Sequence, residues 1–210
     1  MTNTRLEEFA TTVAHDLRNP LNVAKARLQL AEKGAEDDNH EAVGEALNRM
    51  DRIIDDMLWL AREGEDIGQT QPVELQEITE RAWGMVAGKK KEAELQHADN
   101  SELPTVAADP DRLQQLLENL FRNAIEHAGP NVTVRVDPIS DGFAVEDSGP
   151  GIPPDERHQV FDMEYSTTAT GTGYGLQIVE RIADAHNWDI RVTGSTDGGA
   201  RFEIRSLESD

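Results

Sequence analysis

Between residues 4 and 32 the apolar positions Leu6, Phe9, Val13, Leu17, Leu21, Ala24, Leu28 and Ala31 recur at intervals of three and four. That spacing predicts a helix with a narrow apolar seam. Residues 33–39, with Gly34, Asp37 and Asp38, break the period, and Val43, Leu47, Met50, Ile54, Met57, Leu58 and Ala61 resume it. The pattern predicts an antiparallel helical hairpin. Two helices alone leave part of such seams in water. A second copy of residues 1–64 is therefore expected to complete a four-helix bundle as a homodimer, the alternative being packing on the chain's own second domain.

A polar stretch over residues 63–72, with Gly64, Gly68 and Pro72, separates this hairpin from a different rhythm. The expected organisation is a hairpin domain over 1–64, a linker over 65–72 and a second domain over 73–210. In the second domain helices are expected at 73–86, 111–127 and 175–186. Strands are expected at 94–98, 105–108, 132–136, 143–146, 189–193 and 201–205. This mixture suggests one sheet covered by helices on one face, an α/β sandwich, so that the whole chain is of the α+β class.

Composition narrows the functional classes. Forty-one acidic residues against 20 basic ones give a net charge of −21, which opposes binding to nucleic-acid phosphates. No apolar run approaches a membrane span and the first residues are too charged for a secretory signal, so a cytoplasmic chain without direct membrane insertion is expected. The absence of Cys removes disulfides, thiolate catalysis and Cys-based metal sites. The basic residues divide into 15 Arg and 5 Lys, with acids spread along the whole chain. That usage resembles halophile proteins, in which salt screens self-repulsion.

His15 sits two residues from both Val13 and Leu17, roughly 160° around the helix from the seam, and is expected to face water. Asp16 follows it, Asn19 lies one turn on, and Pro20 falls inside the helix, where it removes a hydrogen bond and bends the axis. An imidazole with one nitrogen held by a carboxylate offers the other as a nucleophile. The run His15-Asp16-Leu17-Arg18-Asn19-Pro20-Leu21 resembles the phosphoacceptor box of sensor histidine kinases of two-component signalling, a family that places it on the first helix of a dimeric hairpin. By that resemblance His15 accepts the phosphoryl group, Asp16 is its general base, and Asn19 helps orient water in dephosphorylation.

Further motifs follow in that family's order. Asn119 and Asn123 share a helix face and, with Arg122 and His127, resemble the asparagine box of the family's ATP-binding domain. The resemblance implies Mg²⁺ at Asn123, with Asn119 a second candidate ligand, and His127 near the adenine. Asp147-Ser148-Gly149-Pro150-Gly151 leaves a strand end on a glycine turn and resembles the first glycine box, whose Asp receives the adenine amino group. Phe161 matches the phenylalanine box, and residues 162–170 look like a short lid. Gly171, Gly173, Gly175 and Leu176 open a helix, a ready site for phosphates. A dinucleotide fingerprint would need a strand immediately before Gly171, where the sequence has a polar loop.

The resemblance implies an ATP-dependent protein histidine kinase that uses ATP and Mg²⁺. It would pass the phosphoryl group from His15 to an Asp of a response-regulator receiver domain and act also as that receiver's phosphatase. Its ATP-binding fold is shared with type II topoisomerases, mismatch-repair proteins and a heat-shock chaperone. Two departures stand out: Glu126 where the family commonly has Lys, and a lid without a basic residue, which leaves Arg122 as the candidate cation for the phosphates. Two alternatives remain, an ATP-hydrolysing conformational switch and a nucleotide-binding dimerisation module without turnover. The switch would need a Glu at position 119 to activate water, and an amide cannot do so.

Overall fold

The computed structural model describes residues 3–31, 37–61, 67–87, 93–97, 103–129, 131–162 and 174–207. The chain divides into two compact units, Met1–Gly64 and Glu65–Asp210.

The first unit is a pair of helices, α1 (Asn3–Ala31) and α2 (Asp37–Ala61), packed along their lengths. Pro20, Ala24 and Ala31 of α1 are buried, as are Ala46, Ile53 and Met57 of α2. Near the connection, Arg27 donates to the buried Asn39 side chain at 3.4 Å. Among the described side chains the stripe between the helices is formed by Pro20, Ala24, Ala31, Ala46, Ile53 and Met57, while Leu21, Leu28, Leu47 and Ile54 remain exposed beside it. The seam is thus wider than one helix-to-helix contact can cover, as ridge-and-groove packing of two cylinders dictates.

The second unit opens with β1 (Gln71–Glu74), then α3 (Leu75–Ala87), β2 (Glu94–His97), β3 (Thr105–Ala108), α4 (Pro110–Ala128), β4 (Thr133–Ile139) and β5 (Gly142–Asp147). It closes with α5 (Gly175–Ala185), β6 (Trp188–Gly194) and β7 (Ala200–Ser206). A five-stranded sheet runs β2-β4-β5-β7-β6, with β2 parallel to β4 and the other pairs antiparallel. A separate two-stranded sheet pairs β1 with β3. The helices lie together on one side, α4 packing on both α3 and α5. Alternation along the strands sends Val134, Val136, Phe143, Val145, Phe202 and Ile204 into the core against Leu113, Leu117, Leu120 and Phe121 of α4. Trp83 meets Phe121 edge-on at 5.5 Å.

The sheet's other face carries ion pairs. Glu146, only 5% exposed, receives Arg135 at 3.1 Å and Arg201 at 2.8 Å, and Arg201 also reaches Asp137 and Glu203. Two guanidinium groups cover the carboxylate and satisfy it, which a buried charge requires.

The start of the second unit differs from the linker over 65–72 and the helix over 73–86 that the sequence pattern predicts. Instead Gln71–Glu74 is a strand, in register with Thr105–Ala108, and the helix begins at Leu75. Just before it, the Gly68 N–H donates to Asp109 Oδ2 at 2.7 Å. The chain entering the second unit is fastened to it from Gly68 onward.

Candidate functional site

Three elements of the second unit meet around one end of α4. The helix starts on Asp109, whose Oδ1 accepts the N–H groups of Asp111 and Arg112, with Pro110 in the first turn, where its missing N–H does no harm. It ends at Gly129, whose φ of 94° is readily available only to glycine. Asn119 and Asn123 lie one turn apart, Asn119 buried and Asn123 half-buried. The Asn119 amide donates to Gln115 O at 2.9 Å, and its Oδ1 accepts from Arg122 Nη1 at 3.3 Å. The start of α5 comes close enough that a Cβ on Gly175 would stand 3.3 Å from Asn119 Oδ1. Leu176 is half-buried on that same first turn, and Tyr174 before it is buried.

Asp147 ends β5 beside the last turn of α4. A Cβ on Gly149 would overlap Ala128, so glycine is what lets this loop lie on the helix. Gly151 has φ of 72°, and a Cβ there would meet Gly198 O at 2.6 Å. The Asp147 Oδ1 accepts from Gly149 N at 2.8 Å and from Ala200 N at 3.3 Å, whereas Oδ2 has no donor among the described residues. Burial pushes the carboxyl above its ordinary value, against the opposing pull of these N–H groups and of nearby His127. A carboxylate in that condition gains from a donor brought by a ligand.

The structure therefore brings Asn119, Arg122, Asn123, His127, Asp147, Gly149, Gly151, Gly175 and Leu176 to one region. Phe161 is half-buried at the end of a run of turns over residues 154–161, which is anchored where Arg157 Nε donates to Ile152 O at 3.0 Å. Gly171 and Gly173, with most of the expected lid, lie outside the described residues. His15, Asp16 and Asn19 belong to the other unit, on α1. Asn19 is exposed and Asp16 half-buried there, and the His15 side chain lies outside the described residues.

Sequence reasoning missed the support behind Asp147. Ser195 Oγ donates to Asp147 O at 3.0 Å, Gly199 N donates to Ser195 Oγ at 3.0 Å, and Ala200 supplies the second donor to Oδ1. The adjacent pair Gly198-Gly199 was the available signal, marking a turn that some other backbone approaches closely.

Residues 5–66 match the His Kinase A (phospho-acceptor) domain family, and residues 108–209 match the histidine kinase-, DNA gyrase B- and HSP90-like ATPase family. The sensor histidine kinase ZraS of Salmonella typhimurium (strain LT2) is 33% identical over 208 residues, covering 93% of this chain and 44% of ZraS. The chain thus spans less than half the length of that relative. Full-length ShkA, solved in complex with AMPPNP, is 30% identical with a TM-score of 0.61, covering 95% of this chain and 45% of ShkA. The histidine kinase ThkA, solved with the response regulator TrrA, shares the fold at a TM-score of 0.68 and 21% identity, covering 96% of this chain and 61% of that one.

Proposed function

The chain belongs to the sensor histidine kinases, with a phospho-acceptor domain followed by the ATPase fold, and on that premise we propose that it phosphorylates His15 from Mg-ATP. The observation that carries this reading is Asp147: one carboxylate oxygen is braced by two N–H groups while the other is left for a donor such as the adenine amino group. The His15 nitrogen attacks the γ-phosphorus, the bond to the β-bridging oxygen breaks, ADP leaves, and Asp16 takes the imidazole proton. Receiver phosphorylation follows when an Asp of a response regulator takes the phosphoryl group from His15. Asn19, exposed one turn away, orients water in the reverse function, dephosphorylation of that receiver.

The site chemistry fits Mg²⁺. Asn123 offers a hard amide oxygen on the face it shares with Asn119, and it would hold the ion alongside the nucleotide phosphates, where the ion neutralises developing charge. Asn119 already has its oxygen on Arg122 Nη1 at 3.3 Å, so an ion there would share that oxygen with a guanidinium. Its first role in this reading is to hold Arg122 toward the phosphates, replacing the cation that Glu126 does not supply. Water activation by an ATP-hydrolysing switch is disfavoured further because Glu118, adjacent in sequence to position 119, already accepts from Gln114 at 2.8 Å along its own helix.

The exposed Leu21, Leu28, Leu47 and Ile54 support a homodimer through residues 1–64, in which a second hairpin covers them. The net charge of −21 and the preference for Arg over Lys support function in high salt. Gly68 and β1 are fastened to the ATP-binding unit, so this part of the expected linker belongs to that unit. Incubation of the purified chain with γ-labelled ATP and Mg²⁺ separates the readings. Labelled protein is the kinase, free phosphate alone the hydrolytic switch, and neither a binding module.

A further inference from the structure

Asp147 stands at the point where the pairing of β5 with β7 gives out. The last rung is Glu146 opposite Arg201. Beyond it the Asp147 carbonyl is met by a side chain, the Ser195 hydroxyl at 3.0 Å, from the turn that joins β6 to β7. The same oxygen accepts the Gly199 N–H at 3.0 Å, so one hydroxyl bridges the strand end and the far limb of the turn. That turn is otherwise closed on itself, Ser195 N donating to Gly199 O at 2.8 Å and Gly198 N to Ser195 O at 3.3 Å. Its fit is close: a Cβ on Gly199 would overlap the Asp147 carbonyl, and Gly198 has φ of 93°.

We propose that Ser195 is a positioning residue of the nucleotide site, whose hydroxyl locks the 195–199 turn onto Asp147 and thereby sets the direction of the carboxylate oxygen that receives the adenine. The inference rests on the reading of Asp147 given above and extends it to a residue that does not touch nucleotide. The chain of contact is short. Ser195 fixes the Asp147 main chain, the turn it holds carries Ala200, and Ala200 N pins Oδ1 at 3.3 Å. With Oδ1 held there and by Gly149 N at 2.8 Å, the carboxylate cannot rotate, and Oδ2 keeps one heading.

Removing the hydroxyl leaves the Asp147 carbonyl and the Gly199 N–H without their shared partner, and Gly199 is buried. An unsatisfied buried N–H is relieved by drawing the turn away or admitting water, and either movement loosens the Ala200 contact. The carboxylate then samples other rotations, and a single aimed acceptor is lost. The β6–β7 hairpin itself does not need Ser195, because its ladder runs unbroken from Trp188 opposite Ser206 to Gly194 opposite Ala200. The effect is therefore expected in nucleotide recognition before it is seen in stability.

The test compares Ser195→Ala, Ser195→Thr and Asp147→Asn in the full chain, titrated with ATP and GTP in the presence of Mg²⁺ by calorimetry. Ser195→Ala is expected to weaken ATP about tenfold, the scale of one lost hydrogen bond, while GTP changes little, so that the preference for ATP narrows. Ser195→Thr restores the preference. In the Asp147→Asn background Ser195→Ala adds no further loss, because the two act on one contact. Equal losses for ATP and GTP, or unchanged ATP affinity where Asp147→Asn lowers it, would overturn the role of Ser195 alone. ATP binding unaffected by Asp147→Asn would instead overturn the adenine reading itself. Should Ser195→Ala not fold, amide exchange in the unaltered chain decides: ATP slows exchange at Gly199 and Ala200 and GTP does not, and no difference between the two nucleotides contradicts the proposal.

Discussion

The His186 ring accepts the backbone N–H of Asp109 on Nε2 at 3.0 Å, across 77 residues of sequence. Its Nδ1 lies 2.7 Å from the Ile182 carbonyl, and a carbonyl can only accept, so Nδ1 carries the proton and the ring is neutral. Stacking on Trp188 at 4.3 Å fixes its plane. The ring thus ties the end of α5 to the residue that begins α4, the helix bearing Asn119 and Asn123.

Burial holds the His186 value below its ordinary 6.5, the Ile182 carbonyl and Asp109 pulling the other way. Between those two values the unfolded chain binds a proton that the folded chain refuses. Its contribution is therefore complete above pH 6.5 and is lost as pH falls through the native value. Thermal melts from about pH 7.5 down to about pH 5 are expected to show a falling midpoint, with a shallower fall in His186→Gln, which keeps a side-chain acceptor without a titrating ring. Equal slopes in both proteins would contradict this role.

Asp109 serves two segments at once, capping α4 through Oδ1 and holding Gly68 through Oδ2. Burial alone would raise its carboxyl, but the N–H groups of Arg112, Gly68 and Asp111 together hold it below the usual value. Asp109→Ala is expected to cost about 1–2 kcal/mol in urea unfolding, the range of a lost N-cap. Hydrogen exchange should accelerate at Gly68 and at the first turn of α4 together. Acceleration confined to α4 would show that Gly68 is held by other means.

Salt acts on the whole chain. With a net charge of −21 the folded protein repels itself at low ionic strength, and raising salt shortens the screening length from about 10 Å at 0.1 M to about 3 Å at 1 M. Melting midpoints are expected to climb steeply from tenth-molar to multi-molar KCl. A flat profile would remove the high-salt reading and leave the kinase chemistry untouched.

Much of the fold was legible because its elements satisfy local rules. The 3.6 periodicity of α4 between Asp109 and Gly129, and the alternation through Val134, Val136, Phe143 and Val145, can be read from the chain without any partner. The strand Gln71–Glu74 could not be read so. It is short, polar and contains Pro72, and it is a strand only because Thr105–Ala108 pairs with it from a distance. By alternation with Phe143 and Val145, Glu146 falls on the opposite face of β5 from the core. Arg135 and Arg201 bury it, a property of three neighbouring strands and not of one. The chemistry-bearing Asp147, Asn119 and Asn123 were visible as motifs. Ser195 was not, because a serine in a short polar turn gives no sign of which backbone it will meet.

The central claim is that His15 accepts the phosphoryl group, and labelling of His15→Gln beside the parent chain with γ-labelled ATP and Mg²⁺ tests it most directly. The parent is expected to take up label that is labile in acid and stable in base, as a phosphoramidate is. His15→Gln is expected to take up none while binding ATP as the parent does, since the residues proposed to hold the nucleotide belong to the other unit. Label persisting in His15→Gln, or acid-stable label in the parent, would contradict the assignment.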